Sequence, residues 1–177
     1  VAAVRETLAK IRGAEPVDDI DRVTKMDLSR ELELTIEKHE AGFGQRDLNV
    51  IASPAQELRD IFDLVPTDTE DDWANVAKRL HNLPDAMDGY IETLRSGIAA
   101  GNVPAIRQVR EVLVQANKQV ADTGFFFEFT GSAKAGDAEL PASLKADLAS
   151  GASESAAAYA KLATFLQDEL AAHAPEK

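Results

Sequence analysis

Apolar residues in this chain recur three and four positions apart in run after run, and the breaks between runs carry capping residues, glycine and proline. Such spacing lines the apolar side chains along one stripe of a helix, and a stripe is stable in water only when another stripe covers it. The expected fold is therefore all-α, a multi-helix antiparallel bundle of six or seven helices. At 177 residues the chain is long enough for one domain with a core of its own, so residues 1–177 are read as a single helical domain.

The first stripe, Val4, Leu8 and Ile11, stops at Gly13. A longer helix follows Pro16 and presents Ile20, Val23, Leu28, Leu32 and Ile36, then Phe43, ending near Gly42 to Gly44. Leu32, Leu34 and Ile36 alternate as a strand would, but the flanking period of 3.6 outweighs them. Ser53-Pro54-Ala55-Gln56 is a helix start: Ser53 caps, Pro54 has no N–H to leave unsatisfied, and Gln56 closes a capping box. Leu58, Ile61 and Phe62 follow, and Pro66 ends the run.

Thr67 or Thr69 opens the next helix, with Glu70, Asp71 and Asp72 in the first turn and Trp73, Val76 and Leu80 beneath. Pro84 is expected to break or restart it, leading to Met87, Ile91, Leu94 and Ile98 and a stop at Gly101. Asn102-Val103-Pro104 starts another, with Ile106, Val109, Leu113, Ala116 and Val120, joined tightly enough to pack antiparallel on its predecessor. Phe125-Phe126-Phe127-Glu128-Phe129 reads as an anchor onto the bundle, and Gly131 to Asp137 as a flexible surface loop. From Pro141 an alanine-rich run presents Leu144, Leu148, Tyr159, Leu162, Leu166 and Leu170, with Ser150-Gly151 as a kink or division and a frayed tail after His173.

Charge and chemistry narrow the function. A formal net charge of −12 disfavours nucleic acid and anionic membranes as partners. No apolar run approaches the ~18 residues needed to cross a bilayer. Without cysteine there are no disulfides and no thiolate chemistry, which fits a cytoplasmic location. The chain opens at Val1 with neither methionine nor signal-peptide pattern, and is expected to be a piece of a longer gene product.

Metal chemistry would have to come from His39, His81 or His173 with carboxylates. His39-Glu40 begins a zinc-peptidase pattern, but the second imidazole is due at position 43, which is Phe43. A di-iron bundle needs Glu three residues before His, and those positions hold Ile36, Lys78 and Leu170. Asp18, Asp19, Asp21 and Glu70, Asp71, Asp72 have the chemistry of calcium ligands or of an acid/base pair, but their place at helix starts favours dipole compensation and solubility. Gly42-Phe43-Gly44 lacks the context of a phosphate cradle. Ser53 and Ser143 sit at apparent caps rather than in a hydrolytic triad. Gly89, Gly97 and Gly101 thin a helix for a close neighbour, and Arg79, Arg95, Arg107 and Arg110 either line a groove for a carboxylate ligand or form surface pairs. No catalytic, cofactor-binding or metal-ligating residue is assigned to this chain.

Several spaced phrases then occur in order: Leu48-Asn49-Val50-Ile51-Ala52-Ser53-Pro54, running on to Ile61-Phe62-Asp63-Leu64-Val65-Pro66; Trp73 to Arg79-Leu80; Leu83-Pro84; and Leu94-Arg95-Ser96-Gly97-Ile98-Ala99-Ala100-Gly101-Asn102-Val103-Pro104. From Leu28 to Val120 the chain resembles the amino-terminal half of the bacterial domain-of-unknown-function family 885. The resemblance implies a fold akin to helical zinc carboxypeptidases, in which two helical halves surround a substrate channel and a His-Glu-x-x-His helix in the carboxy-terminal half binds zinc. That motif does not occur between Val1 and Lys177, so no metal or catalytic residue transfers. The expectation is a non-catalytic segment lining the channel of a hydrolase-like parent, with peptide as substrate, zinc in sequence outside this chain, and the carboxy-terminal half as partner. A rival expectation, from another class, is a self-contained module for protein interaction or self-association, with an apolar groove near Phe125 to Phe129.

Overall fold

A computed structural model describes residues 1–176. Among them are seven α-helices: α1 (Ala2–Gly13), α2 (Asp19–Glu40), α3 (Pro54–Asp60), α4 (Glu70–Ala100), α5 (Ile106–Val120), α6 (Phe125–Gly131) and α7 (Ala142–Asp168), with a two-stranded hairpin, β1 (Lys134–Ala135) and β2 (Ala138–Glu139). The chain is an all-α bundle, and it divides into two compact units, Val1–Gly44 and Gln45–Lys177.

The first unit is a helical hairpin. Asp18 caps α2 by accepting from the Asp21 N–H at 2.8 Å. Lys25 Nζ donates to the Arg12 and Ala14 carbonyls at 2.8 and 2.7 Å, satisfying acceptors that the end of α1 leaves open. Ion pairs Arg5–Glu40 and Arg12–Glu33 set the two helices antiparallel. Leu8 is buried, while Val4, Ile11, Leu32 and Ile36 are half-buried. Ile20, Val23 and Leu28, read as core-facing from the sequence, are exposed together with Met26. A two-helix hairpin has one seam, and the apolar residues outside it have nothing to cover them.

The second unit is built around α7. Helix α4 packs along one side of it and α5 along another, and α6 seals a third. Cross-links His81 to Asp147 and Glu154, Asp88 to Lys161, and Arg95 to Glu169 advance together along both chains, so α4 and α7 run parallel. Helix α5 runs the opposite way, its Ile106 N–H meeting the Pro175 carbonyl at 2.9 Å. Its main neighbour is α7 rather than α4, because the extended link at residues 102–105 carries it across the bundle. Three neighbours explain the alanines of α7. Ala152, Ala156, Ala158 and Ala163 are all buried, and small side chains let the surrounding backbones come close.

Proline 84 does not break the chain: α4 runs unbroken through it for 31 residues. A proline inside a helix removes the N–H that would reach the carbonyl four residues back, here Leu80. That carbonyl instead accepts from the Ser155 hydroxyl of α7 at 3.1 Å, inside the core. One turn earlier on α7, Gly151 lies so near α4 that a Cβ would fall 2.7 Å from Leu80 Cβ. Ser150-Gly151 does not divide α7, which is continuous from Ala142 to Asp168. Gly151 is the residue that admits the neighbouring helix. Gly89 has nothing near it, and Gly97 abuts the backbone of Gln45, in the short 3-10 turn Phe43–Arg46.

Two further expectations change with tertiary context. Gly131 to Asp137 is not a free loop, since it feeds a hairpin whose two-residue turn starts at Gly136, with φ +58°, and whose Lys134 carbonyl accepts from Trp73 Nε1 at 2.7 Å. The tail after His173 is held by the Pro175 contact, and Ala174 packs on the core; Lys177 lies outside the described residues.

Candidate functional site

Of the three histidines, His39 is exposed in the last turn of α2 and His173 is exposed after α7. His81 is different. It leaves α4 at the α7 seam, its Nδ1 2.8 Å from Glu154 and its Nε2 3.0 Å from Asp147. Hydrogen bonding to Glu154 first, then to Asp147, raises its pKa above the ordinary imidazole value. The same bond to His81 lowers the pKa of Glu154, whose other oxygen accepts from Ser150 at 3.1 Å. One helical turn before His81 the sequence holds Lys78, and the two carboxylates that meet the ring lie 66 and 73 residues further along the chain, beyond the reach of any local pattern.

This trio does not fit a zinc. Its carboxylates meet opposite nitrogens of one ring and cannot converge on a common ion, and both imidazole nitrogens are engaged. Among the described residues no group of three or more His, Cys, Asp or Glu is placed to hold a metal. The arrangement is an ionic bridge between α4 and α7.

The acidic runs sit where the dipole argument put them. Thr69 caps α4 in a box with Asp72, whose Oδ2 accepts from the Thr69 N–H and hydroxyl at 2.9 and 2.7 Å. Ser53 is buried at the start of α3, and Gln56 Oε1 accepts from its N–H and hydroxyl at 3.0 and 2.7 Å. Ser143 is not a cap; it lies inside the first turn of α7, after Pro141. Gly42, at φ +70°, turns the chain out of α2.

The phenylalanine run is the anchor it resembles. Phe126 is fully buried, edge-on to Phe62 at 5.9 Å and 5.5 Å from Tyr159, while Phe129 lies 5.1 Å from Trp73. Phe125, Phe127 and Phe129 pack against the core as well and stay half-buried. Two phenols tie distant segments to the bundle: Tyr159 donates to the Ala55 carbonyl in α3 at 2.8 Å and Tyr90 to the Asp47 carbonyl in the preceding loop at 2.6 Å, and burial raises the pKa of both.

The four arginines divide. Arg95 makes a two-pronged pair with Glu169 at 2.9 and 2.8 Å and lies over the Phe165 ring. Arg107 and Arg110 are exposed on α5. Arg79 borders a groove. Two adjoining hollows on α4, one walled by Val65 and Pro66 and the other by Leu58 and Ile61, share Arg79 and Asn82. A further hollow between α3, α5 and α7 has Gln56, Gln115 and Tyr159 in its wall, with the two amides bonded to each other at 2.5 Å.

A family model described as "Bacterial protein of unknown function (DUF885)" matches residues 1–177. The chain belongs to that family. Membership in family 885 covers the hairpin unit and the α7-centred unit alike, a longer span than the phrases between Leu28 and Val120. No curated protein matches this family 885 chain. Among its described residues no helix is long and apolar enough to cross a membrane.

Proposed function

We propose that this chain is the non-catalytic, amino-terminal helical segment of a cytoplasmic, zinc-dependent carboxypeptidase-like protein. It supplies one wall of a peptide channel, and the carboxy-terminal half of the parent is its partner and carries the zinc. The observation that carries the reading is the family match along all of residues 1–177, joined to a histidine set that does not fit a zinc within this chain. The contribution of these residues is shape and charge: a rigid α4–α7 seam and a groove along α4. Expressing the full reading frame and assaying peptide hydrolysis with zinc, and again after chelation, tests it. Zinc-dependent release of carboxy-terminal residues by the long protein, and none by residues 1–177, is expected; zinc-dependent turnover by residues 1–177 alone would refute the assignment.

The second reading, a self-contained interaction or oligomerisation module, is favoured by the exposed Ile20, Val23 and Met26 on α2. Light scattering on residues 1–177 and on a triple serine variant at these positions separates the two. A dimer that the variant dissolves supports self-association, and a monomer in both cases removes it.

A further inference from the structure

We infer that the groove along α4 binds the free carboxylate of a peptide whose last residue is apolar. Its cationic end is formed by Lys78 and Arg79, with the carboxamides of Asn75 and Asn82 beside them. In a chain of net charge −12, neither Lys78 nor Arg79 has a carboxylate within ion-pairing distance among the described residues, whereas Arg59 and Arg95 each have two. Asp72 shares the hollow, but its Oδ2 is held by the α4 cap, and seven residues of helix place it about 10 Å along the axis from Arg79. A guanidinium with its fork unoccupied, flanked by an ammonium and two amides, matches a carboxylate.

The other end is apolar. Past Arg79 and Asn82 the groove is floored by Phe62 and Leu83, both buried in the core, and walled by Leu58 and Ile61. The hollow at the cationic end holds about 420 Å³ and the apolar one about 190 Å³. Because Arg79 and Asn82 belong to both, a ligand held at its carboxylate has its nearest side chain over the apolar floor. That order of chemistry, anion site then apolar floor, matches the last residue of a peptide ending in Phe or Leu. A polar last residue would leave the floor uncovered, and an amidated end would leave the fork unmatched.

The choice of peptide as the carboxylate's carrier rests on the channel-wall reading; the groove and its charge do not. Binding is measured by NMR titration of residues 1–177 with acetyl-Ala-Ala-Phe, its carboxy-terminal amide, acetyl-Ala-Ala-Ser and octanoate. Saturable shifts confined to residues 58–86 are expected with the Phe acid, and binding at least tenfold weaker with the amide, the Ser peptide and octanoate. Arg79→Gln and Lys78→Gln, both at exposed positions, weaken the Phe acid several-fold each, and Arg107→Gln leaves it unchanged. Equal binding of acid and amide, no saturation below about 10 mM, a limit near −3 kcal/mol, or an unchanged affinity in Arg79→Gln overturns the site; octanoate binding as tightly as the peptide overturns the peptide assignment. Since no metal enters this measurement, its failure is distinct from failure of the zinc assay on the full-length protein.

Discussion

The hairpin of residues 1–44 and the α7-centred unit of residues 45–177 are written in the same helical alphabet and are held together by different forces. The hairpin buries one apolar residue, Leu8, and ties α1 to α2 with Arg5–Glu40, Arg12–Glu33 and the Lys25 cap. Exposed ion pairs of this kind contribute about 1 kcal/mol or less each. The larger unit buries Trp73, Leu80, Met87, Phe126, Leu162 and many others in one cluster. Burial of a large apolar side chain is worth roughly 1.5–3 kcal/mol, so the second unit has far more to lose from a single change. Amphipathic periodicity announces a helix equally well in both, but stability follows the number of neighbours that the stripe finds.

The sharpest way to break this contrast is to truncate one residue in each. Phe126→Ala should cost about 3–5 kcal/mol, read by urea denaturation, because the ring is fully buried against Phe62 and Tyr159. Leu8→Ala should raise hydrogen exchange in α1 and α2 while protection in α7 persists. Equal loss in α7 would erase the distinction.

Glycines supply the next test. Gly151→Ala should destabilise by about 1–3 kcal/mol, as its methyl would meet Leu80 Cβ, although alanine normally favours helix. Gly89→Ala, with open space around it, should gain roughly 1 kcal/mol. A gain at both positions would mean that the α4–α7 seam is looser than its geometry.

Ser155→Ala should cost about 1–2 kcal/mol by leaving the Leu80 carbonyl without a donor in the core. Pro84→Ala restores the N–H four residues on, so the double variant should recover most of that loss. A strictly additive pair in thermal melts would show that the hydroxyl and the proline are not coupled.

The smallest effect is electrostatic. His81 has a raised pKa in the folded state, so its bridge to Glu154 and Asp147 is complete below the ordinary imidazole value and is lost as pH rises through the raised one. The stabilisation should be under about 1 kcal/mol, since the ring and both carboxylates are partly exposed. His81→Gln should flatten that part of the stability–pH curve, and an unchanged slope would remove His81 as its source.

Much of this was legible in the residues. Ser53-Pro54 and Thr69 with Asp72 mark helix starts by local chemistry alone, and Gly101, at φ +67°, marks an end. The stripe Trp73, Val76, Leu80, Met87, Ile91 and Leu94 is buried as its spacing requires. Pro84 misled because its cost depends on whether the orphaned carbonyl finds another donor, and that donor, Ser155, lies 75 residues away. The bridge of His81 was not legible for the same reason, its partners Glu154 and Asp147 being on another helix. Of the groove, Arg79 was among the residues weighed for a carboxylate, but nothing local sets Leu58 and Ile61 across from it.

Helix formation, the capping points and the acidic surface were determined by the sequence itself, because each depends on groups within about four residues of one another. The parallel pairing of α4 with α7, the close approach at Gly151, the inward turn of Phe125 to Phe129 and the groove beside Arg79 were decided only by tertiary structure. These depend on contacts between residues far apart in the chain, which no local spacing encodes.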